Sequence, residues 1–156
     1  AKLSYGGHVL MENRNGLCVD IIITESTQAE HRAARQLLTR ARRRHIHPKT
    51  LGADQGYQVK ESVGHLGEHA VRPHIARIKD QKTPGPDGRT TRTEDTGVSQ
   101  RKRKRVEEIF GWLKTVGGLR RTRFIGQAMT QIADFISGAA YNLLRIAKLS
   151  VWEVEA

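Results

Sequence analysis

Five consecutive cations, Arg101 through Arg105, run straight into Val106, Glu107, Glu108, Ile109, Phe110, Gly111, Trp112 and Leu113. Adjacent guanidinium and ammonium groups cannot be buried together, so this run fixes a piece of surface, and the residues after it must supply the core. At 3.6 residues per turn, Val106, Ile109, Phe110 and Leu113 share one apolar stripe. Arg103, Glu107 and Lys114, spaced by four and then seven, share a second face of the same predicted helix. A carboxylate between two cations suits a site that handles metal ions and phosphates. It suits a surface salt-bridge ladder equally well, and spacing alone leaves both readings open.

The charge balance narrows the partner. Lys and Arg number 27 against 16 Asp and Glu, a net charge of +11. Such an excess points to a polyanion, most simply nucleic acid. Three Phe, three Tyr and two Trp are few for a base-stacking platform, so contact with a duplex backbone fits better than single-strand binding. At 156 residues the chain is sized for one domain with a useful core. The lone Cys18, inside the apolar run LCVDIII, excludes an internal disulfide framework and is expected to be a buried, inert thiol. No apolar run reaches the length of a membrane span and no signal-peptide pattern is present. The chain opens on AKLSY rather than Met, as an interior starting point would.

Taken in order, residues 1–13 read as a strand, with Gly6-Gly7 as a weakness or bulge. Asn13-Arg14-Asn15-Gly16 is a hairpin turn, and LCVDIIITE is a buried strand. Ser26 or Thr27 is placed to cap a helix over residues 28–44 that turns Ala33, Leu37, Leu38 and Ala41 inward. The arginines at its C-terminal end partly answer the helix dipole. Residues 50–57 form a short strand with Asp54 at its tip, a placement shared by metal ligands and ordinary turn residues. A short helix from 60 to about 69, a strand over 71–78 and a flexible loop over 79–97 follow. The last helix, residues 127–149, carries Met129, Ile132, Ala133, Ile136, Ala139, Ala140, Leu143 and Leu144 on a broad face expected to pack on the rest of the fold.

Other chemistries find little support. His65 and His69 stand at i, i+4, a zinc-compatible spacing, but lack the neighbouring Glu or Cys of common zinc motifs. His8, His31, His45, His47 and His74 are scattered. Neither a nucleophile elbow nor a Walker phosphate loop is present. Asp54 and Glu107 within a basic surround remain. Cleavage or transfer of a phosphodiester by two metals needs carboxylates holding ions about 3.5–4 Å apart, and usually at least three acids.

The segments KLSYGGHVLMENRNGL, TLGADQGY, RKRKRVEEIFGWLKTVGGLRRTR and AAYNLLRIAKL together resemble the C-terminal part of the catalytic domain of bacterial insertion-sequence DDE transposases. The resemblance covers nearly the whole chain. It implies an α/β fold, an RNase H-like mixed sheet flanked by helices. In this family the second acid follows a strand in a GADxGY-like setting, which is Asp54. The third lies in a helix motif of Tyr, two residues, Arg, three residues, Glu, six residues and Lys, which gives Arg103, Glu107 and Lys114, with Gln100 in place of the Tyr. Glu108 is one residue out of register and reads as structural.

The family's first Asp lies on a strand upstream of KLSY, and Asp20 falls at the wrong place in the order to replace it. The resemblance therefore implies a partial catalytic domain lacking its first, central strand. Removing that strand opens about two strand spacings, ~9–10 Å, so a strained, rearranged or marginal fold is expected. It further implies Mg²⁺ or Mn²⁺, two ions in the complete enzyme, held by Asp54 and Glu107 with the missing Asp. The implied partner is double-stranded DNA, both transposon ends and target, bound as a homo-oligomer in the bacterial cytoplasm at the nucleoid. Lys114 and Arg103 would meet phosphates near the transposon end, and Arg101, Lys104, Arg105, Arg120, Arg121 and Arg123 would track the backbone. Trp112 would be core or a wedge. The chain alone would be inactive or nearly so. The rival readings are a catalytically dead DNA-binding remnant and an unrelated basic nucleic-acid-binding protein.

Overall fold

A computed structural model describes residues 4–53, 64–67, 69–75 and 94–154. The chain divides into two compact units, one built from residues 1–28 and 105–156, the other from residues 29–104. Each has its own two-stranded sheet.

In the first unit, β1 (Tyr5–Met11) pairs antiparallel with β2 (Cys18–Glu25), from Tyr5 opposite Glu25 to Met11 opposite Cys18. The irregularity falls between Leu10 and Met11, not at Gly6-Gly7, which stay in register. The expected turn is present. Glu12 N–H donates to Leu17 O at 2.8 Å, Gly16 takes φ +72°, and the Glu12 carboxylate accepts the N–H groups of Arg14 and Asn15. Ile21, Ile22, Ile23 and Thr24 of β2 are buried. Cys18 is half-buried rather than buried, its Sγ 3.7 Å from Asp20 O.

The core of this unit joins Ile21 to Ile109, Leu113 and Tyr141. Ile109 and Leu113 come from α3 (Arg105–Thr115), and Tyr141 from α4 (Gln127–Val154). Trp112 packs against this cluster with its ring edge-on to Tyr141, centroids 5.8 Å apart, so its place is in the core.

The α4 helix meets the sheet in an unexpected way. Its inner face is largely polar: Thr130, Ala133, Asp134 and Tyr141 are buried, together with Gly138. Along it, side-chain amides hydrogen-bond to the backbone of β2. Gln131 Oε1 accepts from Ile23 N–H at 2.8 Å while its Nε2 donates to Ile21 O at 3.1 Å. Asn142 does the same to both backbone groups of Cys18, at 2.8 Å each, and Gln127 Nε2 donates to Ile23 O at 2.7 Å. Gly138 lies over Cys18 and Ile21, where a Cβ would stand in ordinary van der Waals contact at 3.8 and 4.0 Å.

The apolar face expected to pack is instead turned outward. Met129, Ile132, Ile136, Leu143 and Leu144 are all exposed, Leu143 at 70%. The reason is that the outer edge of β2 presents unpaired N–H and C=O groups, and leaving those unsatisfied costs more than leaving methylenes in water.

In the second unit α1 (Glu30–Arg43) buries Ala33, Leu37, Leu38 and Ala41, the four residues its periodicity predicts. The cap differs: Ala29 holds the N-cap position without a side-chain bond, and Ser26 and Thr27 lie outside the helix. At the other end His45 adopts φ +60°, with its N–H on Arg42 O and that of Ile46 on Ala41 O, a Schellman closure that usually employs glycine. The strands β3 (Thr50–Ala53) and β4 (Arg72–Ile75) pair in parallel, and residues 64–67 are helical. Leu38 packs with Leu66, Val71 and Leu51. α2 (Glu94–Arg103) lies on β3. The predicted loop over 79–97 therefore ends earlier, since residues 94–97 are helical, and the rest of it lies outside the described residues.

Among the described residues the strands form two separate two-stranded sheets instead of one mixed sheet. The architecture is mixed α/β.

Candidate functional site

The predicted single helix through Arg103, Glu107 and Lys114 is interrupted at Lys104. Arg103 ends α2 in one unit, and Arg105 begins α3 in the other. The break leaves Arg101, Lys102 and Arg103 at a helix C-terminus and Glu107 and Glu108 in a helix first turn, both favourable to the macrodipoles.

The head of α3 is held in place by cations bound to the hairpin turn. Arg105 Nη1 donates to Arg14 O at 2.6 Å and Asn13 O at 3.4 Å, and Arg145 Nε donates to Asn15 O at 2.7 Å. Tyr141 Oη reaches Gly16 O at 3.4 Å. A Cβ at Gly16 would stand 3.4 Å from the Arg145 guanidinium, and the positive φ there would strain any L side chain. Arg105, placed on the DNA backbone from sequence, is thus also a tertiary anchor. Arg145 also pairs with Glu108 at 3.6 Å. Burial pushes the Tyr141 hydroxyl pKa up, Glu108 adding to the shift and Arg145 opposing it.

Glu107, by contrast, is exposed. Lys114, seven residues on, lies nearly two turns along the same face and is also exposed. Gly117 and Gly118 then end the helix: a Cβ at Gly117 would fall 2.7 Å from Leu113 O, and Gly118 has φ +68°. The 3₁₀ turn Leu119–Arg121 follows, with Arg120, Arg121 and then Arg123 exposed.

In the other unit Arg101 and Lys104 are exposed and Arg103 is half-buried. Asp54 follows β3 directly in the chain and lies outside the described residues. What leads to it is tightly built, since a Cβ at Gly52 would meet Ser99 Oγ at 2.8 Å, so the glycine of the GAD sequence is what lets α2 approach β3.

The histidine pair at 65 and 69 stacks edge to face, centroids 4.4 Å apart, and Arg42 contacts His69 Nδ1 at 2.9 Å and donates to His69 O at 2.6 Å. A guanidinium on the imidazole is a poor neighbour for a metal ion. No group of three His, Cys, Asp or Glu able to hold a metal occurs among the described residues. Asp20 is buried, with Oδ1 on Ile21 N–H at 2.9 Å. Asp134, not singled out by the sequence reading, is the strongly perturbed acid of the first unit: burial raises its pKa from 3.8 to about 6. Its signal is the helical spacing of Gln127, Gln131, Asp134 and Gly138, a polar stripe within an otherwise apolar helix.

The family described as the transposase DDE domain matches residues 2–143, and the chain belongs to it. Its function is accordingly transposition-related, DNA is the substrate this membership implies, and divalent metals are typical of the family. The unrelated-binder reading is thereby set aside. Comparison with curated proteins and with solved structures yields no match. No helix among the described residues is long and apolar enough to cross a membrane.

Proposed function

We propose that this chain is part of an RNase H-like DDE transposase domain that cuts and rejoins transposon-end DNA, with Asp54 and Glu107 as two of its metal-holding carboxylates. The observation that carries the proposal is the family match over residues 2–143, which spans both acids. Two features of the fold support it. An antiparallel pair and a parallel pair of strands are what a mixed RNase H-like sheet leaves without its central strand. And Glu107, unlike Glu108, is committed to no ion pair among the described residues.

An exposed carboxylate is the donor that hard divalent cations take, so Glu107 fits Mg²⁺ or Mn²⁺. Such ions, when bound, supply charge stabilisation at the attacking and leaving oxygens. The chain's own cations do the positioning. Lys114 lies along the same face as Glu107 and would hold a phosphate in line with it. Arg103 would contact a second, and Arg101, Lys104, Arg105, Arg120, Arg121 and Arg123 would follow the backbone. No residue of the chain matches the family's first acid, so the pair alone binds metal weakly and the isolated chain does not cleave DNA.

Mn²⁺ titration followed by electron paramagnetic resonance tests the assignment. Asp54→Ala and Glu107→Ala should each abolish the bound signal, and Glu108→Ala should keep it. Equal binding by all three variants overturns the assignment.

A further inference from the structure

Glu107 stands in the first turn of α3. The N–H groups of a helix's first turn have no partners within the helix, so this is where a helix frays most easily. The carboxylate is therefore only as well placed as the turn that carries it, and that turn is held from outside.

Arg145 supplies part of this hold from a different element. It stands on α4 one turn after Tyr141 and Asn142, which are themselves fixed to the hairpin. Tyr141 Oη donates to Gly16 O at 3.4 Å, and Asn142 bonds both backbone groups of Cys18 at 2.8 Å. From this footing Arg145 Nε donates to Asn15 O at 2.7 Å, while its Nη1 lies 3.6 Å from Glu108 Oε1. The same hairpin turn receives Arg105, the first residue of α3, on Arg14 O at 2.6 Å. One guanidinium thus touches the hairpin and the head of α3 together.

The contact with Glu108 gives direction more than energy. The Glu108 side chain is 57% exposed, and an ion pair at 3.6 Å in that setting is weak. The Arg145 side chain is 23% exposed and bonded to a carbonyl, so it is the fixed partner of the two. Successive side chains stand about 100° apart around a helix. Holding Glu108 toward Arg145, with Arg105 on the hairpin, therefore sets the way Glu107 faces. A lysine would not do the same, because its single ammonium cannot occupy both positions, whereas the planar guanidinium presents Nε and Nη1 in fixed, different directions.

We infer that Arg145 is a positioning residue for Glu107: bound to the hairpin turn and to Glu108, it fixes the rotation of α3 so that the Glu107 carboxylate is held ready for a divalent cation. This role rests on the reading of Glu107 as a metal-holding carboxylate, and it falls to a residue which that reading leaves unused.

Charge and position predict opposite signs. Arg145→Gln removes a cation and releases Glu108, so electrostatics alone would leave Mn²⁺ binding as tight or tighten it. Lost positioning weakens it. Groups that orient a metal ligand typically change affinity by roughly 10–100-fold, and Arg145 acts through a neighbouring residue, so about tenfold is expected.

The test is Mn²⁺ titration of the 156-residue chain by electron paramagnetic resonance, with far-UV circular dichroism recorded on every variant. Arg145→Gln and Arg145→Lys should both keep the circular dichroism of the wild type and both raise the Mn²⁺ Kd about tenfold. Arg145→Lys keeps the charge and most of the stem, so a weakened affinity in this variant separates geometry from charge and from unfolding. Affinity equal to or tighter than wild type in both variants, with binding lost in Glu107→Ala, overturns the positioning role and leaves the reading of Glu107 intact. Full rescue by Arg145→Lys assigns the effect to charge and overturns the role. Loss of the circular dichroism signal in both variants makes Arg145 a residue of the fold alone and overturns it as well. Unchanged binding in Glu107→Ala, or no Mn²⁺ binding by the wild type, overturns both readings.

Discussion

The two amphipathic helices α1 and α4 are built on opposite plans. α1 turns four apolar residues inward and leaves arginines outside, as periodicity predicts. α4 turns amides and a carboxyl inward and leaves Ile, Leu and Met outside. Their partners differ. Leu38 of α1 settles into a cluster of Leu and Val side chains, where only apolar surface is offered. α4 lies along the open edge of β2, where the backbone demands hydrogen bonds. Which side of a helix faces inward is decided by what it lies against as much as by where its hydrophobic residues fall.

The contrast can be broken most forcefully at its apolar end. Leu37→Ala in α1 should cost about 2–5 kcal/mol, whereas Leu143→Ala on the outer face of α4 should cost under ~0.5 kcal/mol, as read by urea denaturation. Were Leu143 as costly, that outer face would have to be covered. At the polar end, Gln131→Ala strands Ile23 N–H and Ile21 C=O together and should cost about 2–4 kcal/mol, a loss visible in Trp112 fluorescence because Trp112 packs on Tyr141 in the same unit.

Asp134→Asn sharpens the same point with pH. The acid's pKa rises from 3.8 to about 6 on folding, so between those values the folded state holds more protons than the unfolded one. Stability therefore falls as pH rises from about 4 to 6 and stays reduced above that range. The Asn variant should lose this slope and be more stable than the wild type at pH 7, by on the order of 2–3 kcal/mol at most, while matching it near pH 3.5. Melting curves across that range read the difference. The smallest effect belongs to the end of α1. His45→Gly relieves a left-handed residue and should gain up to about 1 kcal/mol, measurable as a rise in Tm.

What the sequence disclosed divides along the same line. The four buried residues of α1, the stripe of Ile109 and Leu113, and the turn at Asn13–Gly16 were all legible, because each depends on local periodicity or turn chemistry. The orientation of α4 was not, since nothing local to residues 127–149 reveals that a strand edge will lie beside them. The break at Lys104 was not read either, since the apolar stripe and the charged face run through it without a change of period. The capping expected of Ser26 or Thr27 failed because the chain still turns at Gln28, whose N–H is taken by Glu25 O, before the helix begins. For the site, Glu107 and Lys114 stay proposals that rest on the family motif, and the structure adds what spacing could not: Arg105 and Arg145 fasten the head of α3 to the hairpin.

The amide clasp between α4 and β2 has one more effect. Gln127, Gln131 and Asn142 carry no net charge, so their bonds to the strand are not screened by ions, unlike every cation proposed to touch DNA. A concentrated salt wash should therefore strip nucleic acid from this protein without loosening the helix from its sheet. The molecule's grip on its substrate and its grip on itself respond to different solvents.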